Sequence, residues 1–289
     1  MTFPISYDAI SAGFVGACEA ELSALKPGNV HVYAAGHGME VQNFVDAARA
    51  AAPFVADPSL SLGIRIERAV DASFAVAGCN TNLGILLLCV PLAVAAGEAD
   101  GPADLRGQLS AVLARLGRED AAAAFRAITR ANPAGLGRAD TGDVAGEATI
   151  TLREAMSLAA DRDRIARAYI TDFDEIFGFG LPRLYAARRA SATPAMGISA
   201  LHMAYLSTFL DSHVERKHGR AAAEAVREDA RKTVLFLETA APDEALQALL
   251  LLDFSLKERG LNPGTTADFV VATLYAEHLI AQSATRVPA

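Results

Sequence analysis

The feature that most limits the possible folds of this chain is the apolar run from Leu83 to Ala96. A membrane-spanning helix needs about 20 apolar residues, so this run is too short to cross a bilayer. A helix that is apolar on every side has to be surrounded by other elements. The sequence therefore predicts a helix at the centre of a globular core, and no association with a membrane.

The composition favours further helices as the surrounding elements. Hydrophobic residues make up 52% of the 289 residues and charged residues 21%, which is typical of a folded globular protein. Alanine dominates the hydrophobic share, and it forms helices well and strands poorly. Because strand patterns, repeats and breaks in composition are lacking, we predict an all-α fold. It would be a single-domain multi-helix bundle over residues 1–289, with roughly ten or more helices.

Helical periodicity and the positions of Pro and Gly give the expected elements. A Gly- and Asp-rich loop is expected over residues 132–146, and its length fits either a functional loop or a plain surface connection. The predicted helices cover residues 5–24, 40–56, 62–76, 83–96, 104–116, 119–130, 151–160, 162–177, 194–218, 220–239, 243–258 and 266–281.

The charge and the cysteines exclude several classes of partner. A net charge of −8 argues against a broad surface for nucleic acid or anionic membranes, although it leaves room for a local cationic pocket. Cys18, Cys79 and Cys89 lack the spacing of a metal site, and residues 1–4 show no signal peptide, so we expect a reducing, cytoplasmic location. If the chain associates, we expect a homodimer formed through an apolar helix face.

Four polar segments contain side chains that a plain helical bundle does not need. In the first, residues 26–31, Pro and Gly fix the backbone. Lys26, Asn29 and His31 supply a charge, an amide and an imidazole, and lysine commonly binds phosphate. Taken alone, this segment could equally be a surface turn.

The second polar segment, residues 78–84, precedes the apolar helix directly. Asn80, Thr81 and Asn82 lie between two glycines, and such side chains often satisfy the free N–H groups of a helix start. The same helix end carries partial positive charge and can bind a phosphate. Both interpretations stay open for this segment.

The third polar segment, residues 211–219, is expected near the end of a helix. Helical spacing puts Asp211 and Glu215 on one face and His213, Arg216 and Lys217 on the other, which should point inward or into a cleft. The alternative is that the cations only complement the negative C-terminal end of the helix dipole.

The fourth polar segment, residues 261–269, contains Asn262, Thr265, Thr266 and Asp268. A threonine could cap the last helix, with Asp268 in its first turn. Asp268 could equally hold a metal ion, because Mg²⁺ prefers carboxylate oxygens. Taken alone, the segment is a routine helix start.

In their order along the chain, these segments resemble the triphosphoribosyl-dephospho-CoA synthase family, over nearly the whole chain. Family members are all-helical, in agreement with the prediction above. The matching residues are Glu21 with Lys26-Pro27-Gly28-Asn29-Val30, then Asn80-Thr81-Asn82-Leu83-Gly84-Ile85, then Asp211-Ser212-His213 with Arg216, and finally Asn262-Pro263-Gly264 with Ala267-Asp268.

The resemblance implies a pentosyltransferase, a glycosyltransferase that acts in coenzyme biosynthesis. In the family's reaction the bond between adenine and C1′ of ATP breaks, and a hydroxyl of dephospho-CoA takes the triphosphoribosyl group. The triphosphate requires cations and Mg²⁺, because buried uncompensated charge is costly. A transition state like an oxocarbenium ion favours a nearby carboxylate and an acid for the leaving group, and a base must accept the hydroxyl proton.

The resemblance also suggests a role for each candidate residue. His213 is the expected base, with His31 as the second choice, and Asp211 could stabilise positive charge at C1′. Glu21, Asp211 and Asp268 are the expected Mg²⁺ ligands. The candidates for binding the nucleotide and its phosphates are Lys26, Asn29, Asn80, Thr81, Asn82, Arg216, Lys217, Asn262 and Thr265.

Departures from the family pattern leave the acceptor open. Gly38 stands where citrate-lyase members tend to have Asp, and Leu83 stands where they tend to have Lys. These variants look more like the branch of archaea and methylotrophs. A second hypothesis is therefore transfer from ATP or phosphoribosyl pyrophosphate to another alcohol, such as the ribitol of a methanopterin precursor. A third is a helical nucleotide-binding protein without catalysis, which Gly38 would favour.

Overall fold

The computed structural model describes residues 5–36, 38–99, 104–133, 144, 146–237 and 240–284. It is 76% helical, with 14 α-helices and no sheet among the described residues, which confirms the all-α prediction. None of the described helices is long and apolar enough to span a membrane. The assignment of the whole chain to a single domain stays a prediction, and residues 134–143 and 145 of the expected loop lie outside the described residues.

The helices follow one another through short connections, with one π-helical turn at Glu175–Gly180. They are α1 (Tyr7–Leu22), α2 (Val41–Ala56), α3 (Leu62–Ala77), α4 (Leu83–Glu98), α5 (Leu105–Ala114), α6 (Arg118–Ala131), α7 (Leu152–Ala159), α8 (Arg164–Ile170), α9 (Leu181–Ala190), α10 (Pro194–Thr208), α11 (Ser212–His218), α12 (Arg220–Leu237), α13 (Pro242–Glu258) and α14 (Gly264–Ala284).

Helix α4 lies in the main core, as its apolar sequence predicts. It packs against α2, α3, α5 and α14. Leu86 and Leu88 are completely buried. The hydroxyl of Tyr169 donates a hydrogen bond of 2.7 Å to the carbonyl oxygen of Leu87. Each large apolar side chain that is fully buried stabilises the folded state by about 1.5–3 kcal/mol, so this helix is a major source of stability.

Helices α1 and α14 pack side by side and run in opposite directions. The Tyr275 hydroxyl donates to the carbonyl of Ile10 over 3.2 Å, and its ring meets Phe14 edge-on at 5.9 Å. One turn later in α14, the ring of His278 contacts the carbonyl of Ala9 at 3.1 Å. The end of α1 therefore lies beside the start of α14, and this pairing brings the first and fourth polar segments together.

Two of the predicted helices are broken in the structure. The predicted helix over 162–177 ends at Ile170, because Asp172 and Phe173 have φ angles of 48° and 55°, outside the right-handed helical region. Helix α9, which follows the π-helical turn, was not predicted. The predicted helix over 194–218 is also wrong as one element. It ends at Thr208, and Asp211 starts α11 by accepting a hydrogen bond of 3.0 Å from the N–H of Val214.

Candidate active site

A cavity of about 680 Å³ is lined by residues from all four polar segments. Segments that are far apart in the sequence thus contribute to one concave surface, as an enzyme or ligand site requires. The predicted site residues on its wall are Glu21, Asn29, Asn80, Thr81, His213, Arg216, Asn262, Thr265 and Asp268.

Five of the described helices begin at this cavity, namely α4, α7, α8, α11 and α14. Residues at or beside each start are part of the wall: Leu83, Leu152, Asp163, His213 and Gly264. Helix starts carry free N–H groups and partial positive charge. The arrangement places this positive potential around a wall that also carries Glu21, Asp163, Glu215 and Asp268, which are acidic.

The first and fourth polar segments are joined by direct contacts. The amide nitrogen of the Asn29 side chain donates to the side-chain oxygen of Asn262 over 2.9 Å. Gly28 has a φ of +82°, and a Cβ atom there would lie 2.7 Å from Cδ of Pro263. Only glycine fits this left-handed position without strain, so the two Pro-Gly sequences hold each other in place.

Lys26 lies beneath the cavity wall and not on it. The side chain is completely buried and donates hydrogen bonds to Glu21, to the Asn29 side chain (3.2 Å) and to the Val30 carbonyl (2.8 Å). Burial lowers the pKa of Lys26 and raises that of Glu21, while the attraction between the two opposes both shifts. Lys26 therefore supports Glu21 and Asn29, which do line the cavity, and is not placed to contact a phosphate.

Asp211 links the third polar segment to the fourth. One carboxylate oxygen accepts the hydrogen bond from the N–H of Val214, and the other accepts from the N–H of Thr266 over 2.7 Å. Asp211 is almost completely buried and does not appear among the described residues of the cavity wall. This geometry gives Asp211 the role of fixing the starts of α11 and α14, in place of the expected contact with substrate.

Replacement of Asp211 by Ala is expected to lower the free energy of unfolding by about 2–4 kcal/mol, because one helix loses its cap and a buried N–H loses its acceptor. Asn should recover part of this loss, since its side-chain oxygen can still accept one hydrogen bond. Urea unfolding measures both variants. The matched control is Asp229→Ala, which removes an exposed pair with Arg259 and should cost at most about 1 kcal/mol. Equal losses for Asp211→Ala and the control would contradict this role.

The second polar segment divides between the cavity and the core. Asn82 is buried, and its side-chain nitrogen donates to the hydroxyl of Ser73 over 2.9 Å. Asn80 accepts a hydrogen bond from the N–H of Leu83 over 3.2 Å, so it helps to start α4. Thr81 lines the cavity, and its buried hydroxyl has no hydrogen-bond partner among the described residues. Asn82 therefore anchors the segment, while Asn80 and Thr81 face the cavity.

Asp268 lies on the cavity wall against the start of α4. A Cβ atom on Gly84 would be 2.1 Å from the Oδ2 atom of Asp268. Burial raises the pKa of Asp268 well above its usual value, and the nearby carboxylates of Asp211, Glu21 and Asp163 raise it further. Arg216 opposes this shift. The protonated form is thus favoured more than in an exposed aspartate, which suits a proton donor.

His213 and Arg216 lie on α11 and form part of the cavity wall. The backbone N–H of His213 donates to the Thr265 hydroxyl over 3.2 Å. The guanidinium of Arg216 donates to Asp163 over 3.0 Å, and Asp163 also caps α8 by accepting from the N–H groups of Ile165 and Ala166. The prediction that the carboxylates of this segment face away from its cations is wrong, because α11 begins at Ser212 and Glu215 also lines the cavity.

Two further candidates lie away from the cavity wall. Lys217 is exposed on α11. His31, the last residue of the first polar segment, is buried, with its Nε2 atom 3.3 Å from a carboxylate oxygen of Asp253 and 3.4 Å from the amine of Lys257. Neither is part of the described lining. The position of His31 favours a structural role over that of a base.

Asp163 and Asp253 are not among the predicted site residues, although each contacts a residue of the four polar segments. The predicted helix over 162–177 has Asp163 as its second residue, whereas in the structure Asp163 caps α8 and contacts Arg216. Asp253 lies on α13 and accepts a hydrogen bond of 2.8 Å from the N–H of Gly28. The preference of aspartate for helix N-cap positions is a local signal for Asp163, and no local signal marks Asp253.

The carboxylates of the cavity suit a Mg²⁺ ion that takes its other oxygen atoms from a bound phosphate compound and from water. Among the residues that the structure describes, no three His, Cys, Asp or Glu side chains are grouped as a ready-made metal site. Mg²⁺ commonly uses only one or two carboxylates and completes its shell with water and phosphate oxygens. Glu21 and Asp268 line the cavity and could supply these carboxylates, whereas both Asp211 oxygens already accept backbone hydrogen bonds. Mg²⁺ binding stays a prediction.

The fold and the cavity together define an all-α protein with a small-molecule site built largely at helix starts. The chain belongs to the ATP:dephospho-CoA triphosphoribosyl transferase family (CitG), whose model matches residues 8–287. It is therefore a transferase, as the resemblance in the sequence implied.

A solved structure supports the same family. The chain is similar to a crystal structure from Archaeoglobus fulgidus that carries the provisional name triphosphoribosyl-dephospho-CoA synthase, with 25% sequence identity and a TM-score of 0.64. The match covers 80% of this chain and 95% of the other. No curated protein matches the chain significantly.

Proposed function

We propose that this protein transfers the triphosphoribosyl group of ATP to a hydroxyl of 3′-dephospho-CoA and releases adenine. The observation that carries the proposal is the convergence of four separate polar segments on one cavity. A solvated turn or a simple helix cap would not need to face the other three. Family membership supplies the class of donor and acceptor.

The reaction replaces one bond to C1′ by another. The bond from C1′ to the adenine nitrogen breaks, and the bonding electrons leave with adenine, which takes up a proton. The acceptor oxygen forms the new bond to C1′ and gives up its proton. Positive charge therefore develops on the ribosyl carbon, where a carboxylate stabilises it.

The residues of the cavity wall suit these requirements. Asp268 and Glu21 supply carboxyl groups with separate roles: Asp268, whose pKa is raised, would donate the proton to adenine, and Glu21 would supply the carboxylate for Mg²⁺. His213 is the candidate base for the acceptor proton, because it is the histidine among the described residues of the cavity wall. Arg216 lines the cavity and could hold the triphosphate through charge-assisted hydrogen bonds. Mg²⁺, when bound, would neutralise part of the phosphate charge.

Leu83 is the residue that favours a second class of acceptor. It lines the cavity with an uncharged side chain where citrate-lyase members of the family tend to have a lysine. A lost cation should weaken an interaction with an anionic acceptor group. The second candidate function is therefore transfer from ATP or phosphoribosyl pyrophosphate to another alcohol, such as the ribitol of a methanopterin precursor.

Mass spectrometry separates these proposals. The purified protein is incubated with Mg²⁺, one donor and one acceptor, and both the acceptor mass and free adenine are measured. Gain of a triphosphoribosyl group on dephospho-CoA, with one adenine released per product, is the expected result. Gain on a pterin alcohol alone would favour the second candidate. ATP binding by calorimetry without any product would instead favour a nucleotide-binding protein. Homodimer formation and a cytoplasmic location stay predictions.

A further inference from the structure

One side of the cavity wall is apolar, and the other side carries the acidic residues. All residues that α6 and α7 contribute to the described lining are apolar. Helix α7 packs against α6 and α8, and α4 contacts α6 and α8, so these four helices bring their apolar lining residues together on one side of the cavity. We call this surface the apolar wall, and its main residues are Leu83, Phe125, Ala155, Met156, Leu158 and Ile165.

The apolar wall meets the acidic side of the cavity at Gly84. A Cβ atom on this glycine would lie 2.1 Å from the Oδ2 atom of Asp268 and 2.8 Å from the Cδ1 atom of Ile165. The carboxyl group and the edge of the wall are thus immediate neighbours. A ligand atom beside Asp268 can have its next substituent in contact with the apolar wall.

This junction constrains how the donor can lie. A triphosphate cannot lie on the apolar wall, because burying its charge there without compensation would be costly. The purine is attached to C1′ directly, so it has to remain beside the carboxyl group that faces C1′. Its ring is flat and uncharged, so it can lie against the apolar wall without burying uncompensated charge, with Ala155 and Leu158 as the accessible side chains and the buried Phe125 and Met156 behind them.

We propose that the apolar wall is the binding slot for the purine ring of the ATP donor, with C1′ at the Gly84 junction and the triphosphate toward Arg216. The inference rests on the proposed function, which supplies ATP as the donor. Leu158 is 57% exposed although it lines the cavity, so it marks the rim of this slot. The long chain of the acceptor can then extend outside the slot, past this rim.

Two variants test the slot without removing buried contacts. Leu158→Ser removes apolar surface at the rim, and Ala155→Met fills space on a half-buried wall position. The matched control is Leu235→Ser on α12, where the leucine is 65% exposed and outside the described lining. Calorimetry then measures the affinity for MgATP, magnesium triphosphate, adenine and dephospho-CoA, each alone.

The expected result is a loss of MgATP and adenine affinity of about fivefold for Leu158→Ser and about tenfold for Ala155→Met, from lost or blocked apolar contact. Magnesium triphosphate affinity should stay unchanged in both variants, and Leu235→Ser should leave all four affinities unchanged. Loss for dephospho-CoA alone would overturn the proposal in favour of the acceptor's purine. Unchanged MgATP affinity in both variants would also overturn it.

The outcomes for the slot and for the proposed function are separable. Weaker MgATP binding in the variants, together with a wild-type protein that modifies no acceptor, would support the slot and contradict the function. Transfer to dephospho-CoA with the same KM for ATP in the wild-type protein and both variants would support the function and contradict the slot.

Discussion

Replacement of Lys26 by Met is expected to lower the free energy of unfolding by about 3–5 kcal/mol and to abolish transfer, because it leaves the buried Glu21 carboxylate without its partner. Lys26 is completely buried and Glu21 nearly so, so water cannot replace the lost interaction. The loop that carries Asn29 would also lose the two hydrogen bonds that Lys26 donates within it. Urea unfolding and the adenine-release assay measure the two effects.

A double variant tests whether the loss of stability comes from the unpaired Glu21 charge. Glu21→Gln combined with Lys26→Met removes both charges, and it should recover much of the lost stability while the protein stays inactive. Lys232→Met is the control, because this lysine is exposed and its contact with Glu228 spans 4.0 Å. A loss below about 1 kcal/mol for Lys26→Met, typical of an exposed ion pair, would refute the supporting role of this lysine.

Replacement of Gly84 by Ala is expected to reduce kcat about 100-fold and to lower the free energy of unfolding by about 1–3 kcal/mol. The added Cβ would overlap the carboxyl group of Asp268, which must turn away from its position at the junction. A displacement of about 1 Å at a reacting group can cost a factor of about 100 in rate. Ala also stabilises a helix relative to Gly by about 0.5–1 kcal/mol, which offsets part of the crowding.

The control for this substitution lies in the same helix. A Cβ atom on Gly97 would meet nothing within 4 Å, so Gly97→Ala should keep full activity and be neutral or slightly stabilising. Steady-state kinetics and thermal unfolding compare the two variants. Wild-type kcat in Gly84→Ala, with Asp268 shown by a crystal structure to have moved, would argue against a catalytic role for Asp268.

The helices could largely be predicted because their signals are local. The apolar run of α4, the Asp-Pro stop after α2 and the Thr151 cap of α7 each act within a few residues. The breaks after Ile170 and Thr208 could not be predicted in the same way. Phe173 adopts a left-handed φ angle in a completely buried position, so tertiary packing holds a conformation that its own sequence does not favour.

The site was predicted as a set of segments and not as a set of roles. Residue types and their order showed which stretches to compare, and all four line the cavity. Lys26 and Asp211 have the right chemistry for substrate, yet their groups are used by Glu21 and by two backbone N–H groups. Whether a polar side chain faces the cavity or its own scaffold depends on partners distant in sequence, which no local pattern contains.

The pairing of α1 with α14 also determines when the cavity can first exist. Asn29 leaves the ribosome 233 residues before its partner Asn262. At about 5–20 residues per second, the two are separated by on the order of 10–50 s of synthesis. During that time one wall of the cavity is missing, so an incomplete chain cannot sequester nucleotide. Only a chain elongated through α14 can become an active transferase.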